Sequence, residues 1–168
     1  MARTSAAAII AIATVLAASA RAEPPAPLAP FQVLIGEWQA LDDPSGATGG
    51  FTFSWSVQDR VIVRTNYANY PAANGTPASR HDDLMVIYVD ADVVRADYFD
   101  NEGHVIRYVA DGKPDQIVFL SEVKPSEPRY RLVYRRASDG FLRGRFDVAP
   151  PGSPEAFSSY LSWTARKR

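Results

Sequence analysis

At 168 residues, with 46% hydrophobic, 22% charged and 11% aromatic content, the chain suffices for one compact domain and is too balanced for a low-complexity or collagen-like protein. Its 18 basic and 19 acidic residues leave a net charge of −1, which disfavours a non-specific nucleic-acid binder. The absence of cysteine removes disulfides, thiolate metal sites and thiol nucleophiles, and argues against a lipid carried on a cysteine.

Residues 1–22 read as a secretory signal peptide. Arg3 supplies the positive start, Ala6 to Ala18 is an apolar run, and Ala20-Arg21-Ala22 supplies small residues for cleavage. The apolar run is shorter than the roughly 20 residues a membrane-crossing helix needs, so the expectation is a soluble, periplasmic or secreted bacterial protein without a membrane span. Loss of Arg3 and Arg21 makes the remainder more acidic. Residues 23–30, with four prolines, favour an extended arm.

From residue 31 to 168 a single all-β domain is expected. Phe51-Thr-Phe-Ser-Trp-Ser-Val57 alternates apolar and polar side chains, as a strand with one buried face does. Further strands are predicted over 36–42, 61–67, 84–90, 93–99, 104–110, 116–122, 130–137, 141–148 and 157–165, separated by clusters rich in Gly, Pro, Asn and Asp. Only 30–36 suits a short helical turn. Without helices to cover a sheet, an antiparallel up-and-down meander closed into a barrel of about 8–10 strands removes both raw edges, with a two-sheet sandwich as the alternative.

The ends of the domain carry a resemblance. Gly36 and Trp38 stand where the first strand begins, and the last strand ends in Arg166, Lys167 and Arg168. Pairing of first and last strands would let Trp38 plug one end while a terminal Arg or Lys lies across its indole, a contact worth ~0.5–2 kcal/mol. In these residues and in its meander the chain resembles the calycin superfamily, and looks most like uncharacterised lipocalin-like proteins exported by bacteria. The resemblance implies barrel closure through Gly36, Trp38 and Arg166, and a small, mostly apolar ligand in the lumen. Nitrobindin-like members hold haem through a histidine late in the chain; the only histidines here are His81 and His104, so haem of that type is not expected.

With Ala91-Asp92 as a two-residue turn and 100–103 as a four-residue one, a lumenal face reads Met85, Ile87, Val89, Val94, Ala96, Tyr98, Val105, Arg107 and Val109. An isolated buried guanidinium must find an anion, so Arg107 is the candidate grip for a ligand carboxylate or phosphate, with Tyr98, Met85, Ile87 and Val105 as its apolar surroundings. The bland alternative has Arg107 reaching water at the barrel mouth. The opposite face then carries Arg95, Asp97, His104 and Tyr108, where Asp97 and His104 offer an acid–base pair with no nucleophile beside it.

Six arginines between 129 and 145 are expected on both faces of the 130–148 hairpin, Arg129, Arg131 and Arg135 beside Gly144 and Phe146, and Arg136, Arg143 and Arg145 beside Tyr130 and Tyr134. His81-Asp82-Asp83 is too small a set for a dedicated zinc site, and no metal or cofactor is expected. The stretch 69–83 reads as a long loop able to cover one mouth, and Asn74-Gly-Thr76 matches a glycosylation sequon. No phosphate loop, G-x-S-x-G elbow or H-E-x-x-H motif is present. The function expected is an exported binding protein holding a small hydrophobic or amphipathic molecule, anionic ones included. A small isomerase- or cyclase-like barrel enzyme and a packed, ligand-free envelope module filled by Phe51, Phe53 and Trp55 are the alternatives.

Overall fold

A computed structural model of the protein describes residues 23–41, 45–73 and 75–168. The signal-peptide reading of 1–22, the turn residues 42–44 and the sequon's Asn74 lie outside the described residues. Ten antiparallel strands form one closed barrel in simple meander order: β1 (Gly36–Ala40), β2 (Thr48–Ser56), β3 (Val61–Tyr70), β4 (Ser79–Asp90), β5 (Val93–Asp100), β6 (Val105–Lys113), β7 (Gln116–Ser121), β8 (Arg129–Arg136), β9 (Leu142–Ala149) and β10 (Ser158–Lys167). The barrel rather than the sandwich is therefore the architecture. Its seam joins the ends of the domain, with Trp38 opposite Lys167, Gln39 opposite Arg166 and Ala40 opposite Ala165.

One end is plugged by a 3₁₀ helix, Ala26–Leu34, the short helical turn expected near the N-terminal end, which begins four residues earlier than 30–36, inside the segment expected to be an extended arm. Pro27 sits in its first turn, where a missing N–H costs nothing, and Leu28, Phe31 and Leu34 fall three residues apart on one buried face. Phe31 meets Phe119 edge-on at 6.0 Å, Trp38 donates from Nε1 to the Leu34 carbonyl at 2.7 Å, and Trp55 donates to the Gln32 side chain at 3.1 Å. Above the plug, Phe51, Phe53, Phe119, Tyr134 and Trp163 pack ring against ring. Gly144 makes this possible, because a Cβ there would fall 2.1 Å from the Trp163 ring.

The β4–β5 hairpin follows the sequence reading. Ala91 and Asp92 both take positive φ, as a two-residue hairpin turn requires, and Val89, Ile87 and Met85 face Val94, Ala96 and Tyr98. The next connection does not. The last pair of the ladder is Phe99 with Val105, enclosing five residues, 100–104, so Tyr98 pairs with Ile106, Ala96 with Tyr108 and Val94 with Ala110. That one-residue shift turns β6 over: Ile106, Tyr108 and Ala110 point inward, while Val105, Arg107 and Val109 are exposed. Asp100 causes it, since its Oδ1 accepts the N–H groups of Glu102 and His104 at 3.0 and 2.9 Å, and Gly103 takes φ of +91°.

A similar correction applies to β8–β9. Val133 pairs with Arg145 and Arg135 with Arg143, so Arg131, Arg135, Arg143 and Arg145 share the outer face, while Tyr130, Leu132 and Tyr134 share the inner one with Gly144 and Phe146. Arg136 ends its strand near Trp38, its guanidinium 6.0 Å from the indole. The loop expected over 69–83 is shorter than that reading, because β3 runs to Tyr70 and β4 begins at Ser79.

Candidate functional site

Polar side chains enter the lumen above the aromatic packing. Alternation along β3 sends Ile62, Arg64 and Asn66 inward because Arg64 lies opposite Phe53, whose side chain is core. Arg64 is 5% exposed. Its Nη1 donates to Asp83 Oδ1 at 2.5 Å, Asn66 donates to the other Asp83 oxygen at 2.7 Å, and the guanidinium stands 5.8 Å from the centre of the Phe51 ring. Burial favours the neutral form of Arg64, but the oxygens of Tyr134 and Asp83 outweigh it and raise the pKa, so the residue is a permanent cation.

Three phenols complete the layer. Tyr134 is fully buried, and burial pushes its hydroxyl up to about 12 against the opposing charge of Arg64. Burial also raises Tyr98 and Tyr108 well above the ordinary phenol range. All three are O–H donors at neutral pH. Two buried polar atoms of this layer, Arg64 Nε and Tyr134 Oη, have no hydrogen-bond partner. The layer is thus rich in donors, has a single carboxylate, and contains no nucleophile next to a base. It is suited to holding an acceptor group rather than to breaking a bond.

Nearer the unplugged rim, Tyr98 joins two pairs of groups. Its hydroxyl lies 3.2 Å from Asp100 Oδ2 and 3.1 Å from His81 Nε2. His81 Nδ1 lies 3.0 Å from Glu102, and His104 Nδ1 lies 2.8 Å from Asp100 Oδ2. Asp100 is held below the ordinary carboxylate range: burial alone would raise it, but the backbone and side chain of His104 and the backbone N–H of Glu102 prevail. A groove of about 250 Å³ lies on the outer wall rather than in the lumen, lined by residues such as Gln39, Thr52, Tyr67, Arg80 and Arg168. Arg80 stacks 5.0 Å from the centre of the Tyr67 ring there.

The residues expected at the site divide cleanly. Met85 and Ile87 are fully buried in the core, and half-buried Tyr98 faces the lumen. Arg107 and Val105 are outside, for the register reason given above, so the lumenal cation is Arg64 instead. The Asp97–His104 pair is not formed: Asp97 accepts from Tyr88 at 3.2 Å, and His104 turns to Asp100. At the seam a terminal cation lies over the Trp38 indole: it is Lys167, 5.7 Å from the ring centre, with Arg136 at 6.0 Å from the same ring, while Arg166 is exposed and pairs with Gln39 in the closing ladder. Gly36 leaves the space for it, since a Cβ there would meet the Lys167 chain at 2.4 Å. Arg64 carried a usable signal, because a four-residue connection after Ser56 places it opposite Phe53. No protein-family model and no curated protein matches the chain.

Proposed function

We propose that this barrel is an exported binding protein that takes a small amphipathic molecule, its acceptor-bearing head, a carboxylate included, received by Arg64, Tyr134 and Tyr108. The observation that carries the reading is the pair of buried, unpartnered donors Arg64 Nε and Tyr134 Oη. Buried polar groups of this kind normally have partners, and a ligand oxygen would satisfy both. Because Asp83 already balances the Arg64 charge, neutral acceptors such as carbonyls suit the layer as well as anions do. The filled aromatic half below limits the ligand to a small one. Kinship with the calycin barrels is part of the proposal, supported by the meander, the first-to-last seam and the Gly36, Trp38 and Lys167 arrangement. Export rests on residues 1–22 and predicts a secreted chain that begins at Glu23.

The test is native mass spectrometry of the protein from an exporting bacterial host, followed by displacement of a fluorescent fatty acid by a panel of carboxylates, ketones and lactones. Tyr134→Phe removes only an unpartnered hydroxyl, so it should leave the fold intact and weaken binding about tenfold. Absence of both a bound species and any displacement overturns the proposal. A second reading, a packed barrel serving as an interaction module, is favoured by Phe51 and Phe53 filling the lumen with Tyr134 and Phe119. Trp55, expected to share that role, instead lies half-buried against Gln32.

A further inference from the structure

Both histidines of the chain, 23 positions apart, flank the same pair of carboxylates at the unplugged rim. The β4–β5 register brings His81 to Glu102, and the Asp100 turn brings His104 back beside Asp100. We propose that His81, Asp100 and Glu102, with His104 beside Asp100, form a binding site for one borderline divalent cation, best matched by zinc. This inference does not depend on a lumenal ligand.

Three observations support it. The first is spacing: metal–ligand bonds of about 2.0–2.2 Å in a tetrahedral shell place neighbouring ligand atoms roughly 3.3 Å apart. The separations here bracket that value, at 3.0 Å for His81 Nδ1 to Glu102 Oε1, 2.8 Å for His104 Nδ1 to Asp100 Oδ2 and 4.0 Å for His104 Nδ1 to Glu102 Oε2. Ligand atoms of His81, Asp100 and Glu102 all fall within 4.8 Å of one another. The second is donor chemistry: an imidazole nitrogen and two carboxylates, with a second imidazole beside Asp100, are a set that zinc accepts and that magnesium and calcium do not favour.

The third is a surplus of acceptors. Around His81 lie Glu102 at Nδ1, 3.0 Å away, and at Nε2 both Asp83, 3.4 Å away, and the Tyr98 oxygen, 3.1 Å away. The nearby carboxylates outnumber their fixed cations, because Arg64 is paired to Asp83 and leaves Asp100 and Glu102 unneutralised except by histidine.

The experiment is calorimetric titration of the chelator-stripped protein with zinc chloride, repeated with cobalt(II) to read coordination geometry from its visible spectrum. The expected result is one zinc per chain and a tetrahedral cobalt spectrum. Glu102→Gln, on an exposed turn, should weaken zinc more than tenfold, the His81→Ala, His104→Ala double variant should abolish saturable binding, and Asp92→Asn, on the β4–β5 turn at the plugged end, should change nothing. Circular dichroism confirms that each variant keeps the barrel. No saturable zinc binding by the parent protein would overturn the proposal. Unchanged affinity in Glu102→Gln and in the double histidine variant would equally overturn it.

Discussion

Replacing Arg64 by methionine tests the logic of the lumen most directly. The substitution keeps the length and apolar stem of the side chain but strips the charge partner from Asp83, whose side chain is only 3% exposed. Asn66 at 2.7 Å and His81 at 3.4 Å remain beside the carboxylate, and neither replaces a guanidinium held at 2.5 Å. Removing one member of a buried ion pair costs about 3–5 kcal/mol, and loss of the cation–π contact with Phe51 adds about 0.5–1 kcal/mol. For a domain of this size each kcal/mol moves the midpoint by about 2–4 °C, so Arg64→Met should lower Tm by roughly 7–24 °C in a calorimetric scan. Asp83→Asn on its own leaves the guanidinium buried and should cost a comparable amount. Combined, the two substitutions leave no charge to desolvate, and the double variant should fall within about 1–2 kcal/mol of the parent. A loss below about 1 kcal/mol for the single variants, or a double variant as unstable as the sum of both, would refute the claim that this pair is coupled and dry.

Other perturbations read different parts of the barrel. Gly144→Ala forces the Trp163 ring from its seat and should cost about 1–3 kcal/mol, with a red-shifted tryptophan emission as the independent sign. Gly36→Ala is strained twice, by φ of +132° and by the Lys167 chain; adding Lys167→Ala should recover part of the loss in urea titrations, and full additivity would show that the two do not meet. Because folding lowers the Asp100 pKa, its contribution is complete above the ordinary carboxylate range and is lost as pH falls through the lowered value. Amide exchange at Glu102 and His104 should therefore accelerate selectively in acid, and Asp100→Asn should remove that pH dependence.

The meander, the seam and the β4–β5 register could all be read from alternation and turn chemistry, because Ala91-Asp92 permits only a short, sharply twisted reversal. What alternation could not show was the length of the next connection. Asp100 is at once the last residue of β5 and the acceptor that shapes the turn, and counting it in the turn or in the strand reverses every side chain of β6. Arg107 and Arg64 exchanged roles on that single residue and on the neglected β2–β3 pairing. The rim cluster lay within reach of the correct β4–β5 register, which already places His81 by Glu102, but His104 could join it only once the Asp100 turn was known. A helical turn was legible over 30–36, but its start at Ala26 was hidden by the prolines of the arm, which permit a 3₁₀ turn as readily as an extended chain when three large apolar residues recur at every third position.

The seam between β1 and β10 also dictates an order of events. Trp38, Gln39 and Ala40 must wait for Lys167, Arg166 and Ala165, residues at the far end of the domain, so no partial chain emerging from synthesis can close the barrel. Until then β1 and β9 each present a bare edge able to recruit another strand, and the last ten residues act as the latch that ends this exposure. Loss of a few C-terminal residues would accordingly affect the yield of folded protein far more than their small share of the core suggests.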